Sequence, residues 1–398
     1  MDRRSFLKGT ALTVGSLIAG KEILLKANAQ EVIEKYPFLI KFPEKRELIF
    51  YSERPPLLET PREYFAKAIT PNDAFFVRWH LADIPTELDL NKWRLKINGN
   101  TKKPVELSMD DLKTLFEPVS FFAVSQCSGN GRNFFEPKPK GIHWNHGAMG
   151  NAEWTGVRLK DVLEYAGLKA GTVEIAFNGL DKPPYPETPD FVRSIPIDIC
   201  LQEDVILAYE MNGESIPYLN GFPLRLIVPG WYATHWIKSV TEIMVLDKPL
   251  KNFWMTKAYQ LPDNDCECVK PGEKPKKTKP ITKMNVKSVI ATPDNGTVLK
   301  KGRAVKVAGV AFDYGTGVKE VLVSVDGGRT WHKANLGPYL GRYSFREWFF
   351  YFKPEKTGEV EILSRAVNYN GEMQPFKIGW NPGGYKWNVV DKVKVNVV

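Results

Sequence analysis

The apolar positions of this chain switch between two spacings. Leu159, Val162, Leu163 and Ala166 recur at i, i+3, i+4 and i+7 and Gly167 follows, which predicts a helix with one buried face and a glycine stop. Ser108-Met109-Asp110-Asp111 precedes Leu112, Leu115 and Phe116, an N-cap with early acids at the head of a second helix. Short apolar runs at 173–177, 205–209 and 224–228 read as strands. Helix and strand signals do not alternate regularly, so residues 30–262 are expected to form an α+β domain rather than a doubly wound one.

Beyond Met284 the pattern changes. Runs at 305–310, 320–325, 347–352 and 359–366 are β-rich and are separated by Gly, Asp, Asn and Pro, and Asp326-Gly327-Gly328 marks a hairpin turn. No helical spacing is found there, which predicts an all-β, seven-stranded immunoglobulin-like sandwich over 284–398. Residues 263–283 are rich in Lys and Pro and poor in apolar side chains, and they read as a solvated linker. No internal repeat is found.

The first residues stand apart. Arg3-Arg4-Ser5-Phe6-Leu7-Lys8, a weakly apolar stretch and Ala27-Asn28-Ala29 follow one another in the order of a twin-arginine export signal cleaved before Gln30. Export by that machinery places the mature chain in the periplasm and hints at a cofactor loaded before export. Removing residues 1–29 takes away five basic and two acidic residues, leaving about +6 of the +9 net charge. A field of that sign attracts small anions. The one dense basic run, around Lys274, Lys276, Lys277 and Lys279, lies in the linker, so no nucleic-acid partner is expected.

With 43% hydrophobic residues among 398, the chain can bury a real core, and no apolar run beyond the N-terminus is long enough to span a bilayer. The four cysteines, at 127, 200, 266 and 268, are too few for a disulfide scaffold, and no C-x-x-C-H attaches a haem. Cys200 reads as a core residue. Cys266 and Cys268 sit one residue apart, a spacing expected to disfavour a mutual disulfide.

Cys127 is the most informative residue. The apolar run Phe121-Phe122-Ala123-Val124 leads to Ser125-Gln126-Cys127-Ser128-Gly129-Asn130-Gly131-Arg132, a thiol at a strand end with an Arg nearby to favour its thiolate. No His is adjacent to serve as base, and no second Cys or His stands at zinc-ligand spacing. A buried apolar Cys and a metal taking one protein ligand both stay open on residue types alone.

Several separated blocks carry a family resemblance. Cys127-Ser128-Gly129-Asn130, Gly147-Ala148-Met149-Gly150-Asn151-Ala152-Glu153-Trp154-Thr155-Gly156-Val157-Arg158-Leu159, Phe75-Phe76-Val77-Arg78-Trp79-His80, Ala208-Tyr209-Glu210-Met211-Asn212-Gly213 and Gly221-Phe222-Pro223-Leu224-Arg225 resemble the sulfite oxidase family of molybdenum enzymes. The Arg-Trp-His form is similar to that of the bacterial periplasmic, haem-free sulfite dehydrogenases. The resemblance implies a sulfite-oxidase-type molybdopterin domain followed by an immunoglobulin-like dimerisation domain. It also implies molybdenum held by a pyranopterin dithiolene, with Cys127 as the protein ligand to the metal.

The same resemblance implies roles for further residues. Phe76, Val77, Trp79, His80, Lys140, Asp181, Asn220, Arg225, Trp236, Ile237 and Lys238 match cofactor contacts, with Arg225 and Lys238 taking the cofactor phosphate. Arg78, His80, Arg132 and Tyr259 match the substrate pocket, where guanidinium groups hold the oxygens of sulfite. The implied activity is oxidation of sulfite to sulfate with one-electron transfers to a separate c-type cytochrome, by a homodimer. One departure weakens the oxyanion reading: Gly383 stands where the family usually has an Arg, leaving Lys386 as the nearest candidate to compensate. The alternatives are the same molybdenum fold acting on another oxyanion or sulfur compound, as oxidase or reductase, and a non-catalytic periplasmic binding protein.

Overall fold

The computed structural model describes residues 42–398, so the expected export signal lies outside the described residues. Both helices predicted from spacing are present. In Met109–Leu115, the Ser108 hydroxyl accepts from the Asp111 N–H at 3.0 Å and the Asp111 carboxylate accepts from the Ser108 N–H at 2.8 Å, a reciprocal capping box. In Leu159–Ala166 the four spaced apolar residues are the buried ones, and Gly167, at φ +72°, closes the helix by donating to the Leu163 carbonyl. Burying each leucine of that face contributes about 1.5–3 kcal/mol.

The first body is α+β, with two five-stranded sheets and a small three-stranded one. In one large sheet Pro118–Gln126 pairs antiparallel with Met149–Arg158 over nine residues, followed by Ile206–Met211 and then Arg225–Ile227. In the other, Val240–Leu246 lies between Leu95–Gly99, its parallel neighbour, and Glu174–Gly179. The small sheet joins Ile49–Ser52, Leu57–Glu59 and Val77–Arg78.

The C-terminal body is a sandwich of a four-stranded and a five-stranded sheet. That is nine strands against the seven expected, and three of them (Val298–Leu299, His332–Lys333 and Asn335–Leu336) are two-residue pieces too short to show as runs. The Asp326 carboxylate accepts from the backbones of Arg329 and Thr330, shaping the predicted turn into a longer hairpin between Val318–Ser324 and His332–Lys333. No helix among the described residues is long and apolar enough to cross a membrane.

The Lys/Pro-rich segment 263–283 is mostly exposed, and Thr278–Pro280 pairs back onto Gln260–Pro262. Here one expectation is overturned: Cys266 and Cys268 form a disulfide with each other. Glu267 between them takes φ +50°, which turns the chain so that the two Cα atoms lie 5.1 Å apart, and Asn264 braces the turn by accepting from the Cys268 N–H. Cys200 is fully buried in the core, as read from sequence.

The two bodies share a polar seam. Arg62 and His146 from the first converge on Asp391 of the second, at 2.9 and 3.1 Å, and Glu347 accepts from the Ala68 N–H at 2.7 Å. Glu59 accepts from the N–H groups of Asn145 and Gly147, at 3.1 and 2.8 Å, so the seam reaches the chain just before Met149–Arg158.

Candidate active site

Cys127 emerges where Pro118–Gln126 ends, and its N–H donates to the Ala148 carbonyl at 2.9 Å, so the long pairing with Met149–Arg158 fixes its backbone. Its side chain faces a cavity that is also lined by Phe76, Arg78, His80, Asn220, Arg225, Trp236, Lys238 and Tyr259. These come from separate segments, and the fold brings them together as the sequence blocks suggested. Phe191, Leu219, Ala233 and Thr234 complete the wall.

Neighbours along two segments point in opposite directions, and some therefore stay out. Phe76 and Arg78 face the cavity, whereas Val77 and Trp79 point the other way into a small apolar cluster with Leu58 and Leu219. Trp236 and Lys238 line the cavity, and Ile237 between them is buried in the main core. Trp79 still touches the site, because Lys238 Nζ lies 4.5 Å from its ring centroid. Asp181 is buried behind Lys238; burial raises its carboxyl pKa and the lysine opposes that shift. Lys140 is exposed and does not line the cavity.

Arg132 also stays off the cavity wall. Its Nε donates to the Gly383 carbonyl at 2.7 Å, its Nη1 donates to the Ile142 carbonyl at 2.9 Å, and its guanidinium lies 5.3 Å from the Tyr385 ring centroid. Glycines at 129, 141 and 384 make the room, since a Cβ at any of them would come within 3 Å of the Arg132 side chain. Position 383 has no space for a long side chain, because Tyr385 fills it: a Cβ there would lie 2.0 Å from the Tyr385 ring. Lys386, the candidate replacement cation, does not reach in and is instead paired with Glu267 at 2.7 Å.

Tyr259 follows the short helix Phe253–Thr256 in the left-handed region, at φ +55°, a conformation that costs a bulky residue energy. Its hydroxyl lies 2.5 Å from His80 Nε2, and the His80 ring stacks on Phe191. Burial, then Arg78, Lys238 and Arg193, hold the His80 pKa well below its ordinary value, so the imidazole is neutral. Burial raises that of the Tyr259 phenol, which keeps its proton.

At the other end of the cavity Arg225 is sandwiched between Trp154 and Trp236, at 5.0 and 5.8 Å. It donates to the Asn220 carbonyl at 2.9 Å, and burial lowers its pKa to about 9. Lys238 donates to the Arg78 carbonyl at 2.8 Å. Lys45, absent from the sequence reading, donates from behind to the Asn220 side-chain oxygen and to the Asn72 carbonyl; burial lowers its pKa to about 7. No local pattern singles it out, because its partner Asn220 lies 175 residues away.

The site is therefore rich in buried cations and poor in anions. Among the described residues the donors Arg78 Nη1, Arg225 Nε and Asn130 Nδ2 are buried without a partner. Orphaned donors of this kind call for an anionic occupant. Among the described residues no three His, Cys, Asp or Glu side chains converge as a metal site, so a metal beside Cys127 would draw its other ligands from a cofactor. The residues present fit a phosphate-bearing dithiolene cofactor with a thiolate-ligated metal.

Comparison with known proteins agrees. Residues 81–254 match the oxidoreductase molybdopterin binding domain, and 278–398 match the Mo-co oxidoreductase dimerisation domain. The chain is 32% identical over 364 residues to sulfite oxidase of Gallus gallus, covering 87% of this chain and 78% of the relative. It is 33% identical over 365 residues to mitochondrial sulfite oxidase of Rattus norvegicus, again over 87% of this chain, and spans 65% of that protein's length. Nitrate reductase [NADH] 1 of Oryza sativa subsp. japonica is 31% identical, over 94% of this chain and 42% of its own. The crystal structure of the sulfane dehydrogenase SoxCD from Paracoccus pantotrophus superposes with a TM-score of 0.76 at 24% identity, over 96% of this chain and 99% of that one, and so shares the fold. The chain belongs to the sulfite oxidase family of molybdenum oxidoreductases and carries that family's molybdenum–pyranopterin cofactor.

Proposed function

We propose that the protein oxidises sulfite to sulfate in the periplasm, after twin-arginine export, and passes electrons one at a time to a separate c-type cytochrome. The observation that carries this reading is one cavity in which Cys127 faces Arg78, Lys238 and Tyr259, with Arg78 Nη1 lacking a partner among the described residues. In this reading the sandwich domain mediates homodimerisation.

The bound cofactor supplies the two-electron chemistry and the transferable oxygen. The chain's own residues bind and orient. Arg225 and Lys238, backed by Lys45 through Asn220, hold the cofactor phosphate, and Cys127 ligates the metal. Arg78 directs its free Nη1 at a sulfite oxygen. Tyr259 keeps its proton at neutral pH and donates a hydrogen bond, and neutral His80 fixes the hydroxyl's position without adding charge. Buried donors fixed in place before the substrate arrives favour the anion most strongly as its charge shifts during reaction. Arg132 acts one layer out, holding Tyr385 against Tyr259, whose ring centroid is 5.7 Å away.

Overall, sulfite and water give sulfate, two protons and two electrons, and two one-electron acceptors regenerate the enzyme. The test is a substrate panel with molybdenum-loaded protein and ferricyanide as acceptor, comparing sulfite with thiosulfate, and separately nitrate with reduced viologen as donor. Sulfite as the preferred substrate supports the proposal. Preference for thiosulfate or nitrate would move the protein to another branch of its family.

A further inference from the structure

We infer that Arg193 is the cation that completes oxyanion recognition in this chain, acting through the Tyr259 wall. The inference rests on the oxyanion-binding reading above and names the group that stands in for the side chain missing at Gly383.

Arg193 opens the strand Arg193–Pro196 and is completely buried. Its Nη1 donates to the Trp254 carbonyl and its Nη2 lies 3.2 Å from His235 Nε2. Its Nε is buried and has no partner among the described residues. Among the described residues no carboxylate forms an ion pair with it. His235 brings no charge, since burial and then Arg193 itself lower its pKa to about 3. The guanidinium carbon lies 5.2 Å from the centroid of the Tyr259 ring, whose hydroxyl meets His80 at the cavity.

A guanidinium buried without a counter-ion is costly, and an apolar side chain of similar volume usually folds as well or better in its place. Arg193 is therefore poorly explained as a stabilising element. Its position has a direct electrostatic consequence, because a fixed positive charge behind Tyr259, in a region of low polarisability, attracts an anion on the far side of that ring. Arg78 lies on the cavity wall and Arg193 behind it, so an oxyanion there meets two cations from the first body and needs none at position 383. Arg193 makes no contact with the cavity and is a positioning residue.

Arg193→Met and Arg193→Lys test this in the molybdenum-loaded holoenzyme, read by calorimetric binding of sulfate, by kcat and KM for sulfite, and by Tm. In Arg193→Met, sulfate affinity falls and KM for sulfite rises by roughly tenfold, kcat stays within about twofold, and Tm is unchanged or higher. Arg193→Lys recovers most of the sulfate affinity. Unchanged sulfate affinity in Arg193→Met overturns the inference, as do equal losses in both variants together with a lower Tm. Should Arg193→Met lose its molybdenum, Arg193→Gln carries the same readouts. Wild-type protein that neither binds sulfate nor oxidises sulfite would defeat the oxyanion reading itself, whereas an active wild type whose sulfate affinity and KM for sulfite are matched by Arg193→Met would defeat this inference alone.

Discussion

His80 Nε2 and the Tyr259 hydroxyl stand 2.5 Å apart on the wall of the Cys127 cavity. The pair is locked from both sides: Phe191 stacks on the imidazole, and Tyr385 lies over the phenol ring. A hydroxyl held this way is aimed before substrate arrives, so its removal costs transition-state stabilisation more than ground-state affinity. Tyr259→Phe is expected to lower kcat for sulfite by about 10²-fold, with molybdenum content unchanged. Steady-state kinetics beside metal analysis checks this, and a variant that loses metal would show a structural role instead.

Lys45 is buried against Asn220, which in turn bonds the Phe76 carbonyl at 3.1 Å. Lys45→Met leaves the Asn220 side-chain oxygen without its donor, at a cost of about 1–3 kcal/mol. It also removes a positive charge near Arg225. The expected result is weaker cofactor retention, measured as pterin and molybdenum per chain after prolonged dialysis, with a smaller loss in Lys45→Arg.

The exposed Cys266–Cys268 disulfide ties a surface turn to the site. It holds Glu267, which pairs with Lys386 at 2.7 Å and Lys279 at 3.2 Å, and the Lys386 N–H donates to the carbonyl of Ser128, next to Cys127. Reduction of the disulfide, or the Cys266→Ser/Cys268→Ser double variant, is expected to cost about 1–2 kcal/mol because the loop is short. Faster amide exchange at 385–387 is expected to accompany it. Thermal unfolding and hydrogen exchange with and without reductant are the measurements.

Local periodicity made the two helices and the long sandwich strands legible in the sequence, since the spacing of Leu159, Val162, Leu163 and Ala166 directly specifies a face. The Cys127 cavity was legible because its contributors sit in recognisable blocks. What escaped depends on side-chain direction and on distant packing. Val77 and Ile237 share segments with true lining residues but face away from the cavity, Val77 by strand alternation and Ile237 in the connection that follows Ala233–His235. Arg132 turns to the Gly383 carbonyl, and the disulfide forms only because Glu267 adopts a left-handed backbone. Lys45 and Arg193 enter from remote segments whose composition is ordinary.

The seam between the bodies makes stability pH-dependent. Burial lowers the pKa of His146 to about 4, against the opposing pull of Asp391. Below its unfolded value, near 6.5, the unfolded chain takes up a proton that the folded chain refuses, so stability falls as pH drops toward about 4. The slope from this residue is at most about 1.4 kcal/mol per pH unit. Burial raises the Glu59 carboxyl, which acts in the opposite sense over part of that range, so the comparison is with His146→Gln. Denaturant titrations at pH 7, 6 and 5 are expected to show a flatter dependence in the variant.

The most direct measurement pairs wild-type protein with Cys127→Ala. Molybdenum content is determined first, and then sulfite-dependent reduction of cytochrome c is followed. Wild-type protein is predicted to hold near-stoichiometric molybdenum and reduce the cytochrome only when sulfite is present, whereas Cys127→Ala is predicted to give no turnover. Molybdenum-loaded wild type that leaves both cytochrome c and ferricyanide oxidised in the presence of sulfite, or a Cys127→Ala variant as active as wild type, would contradict the account.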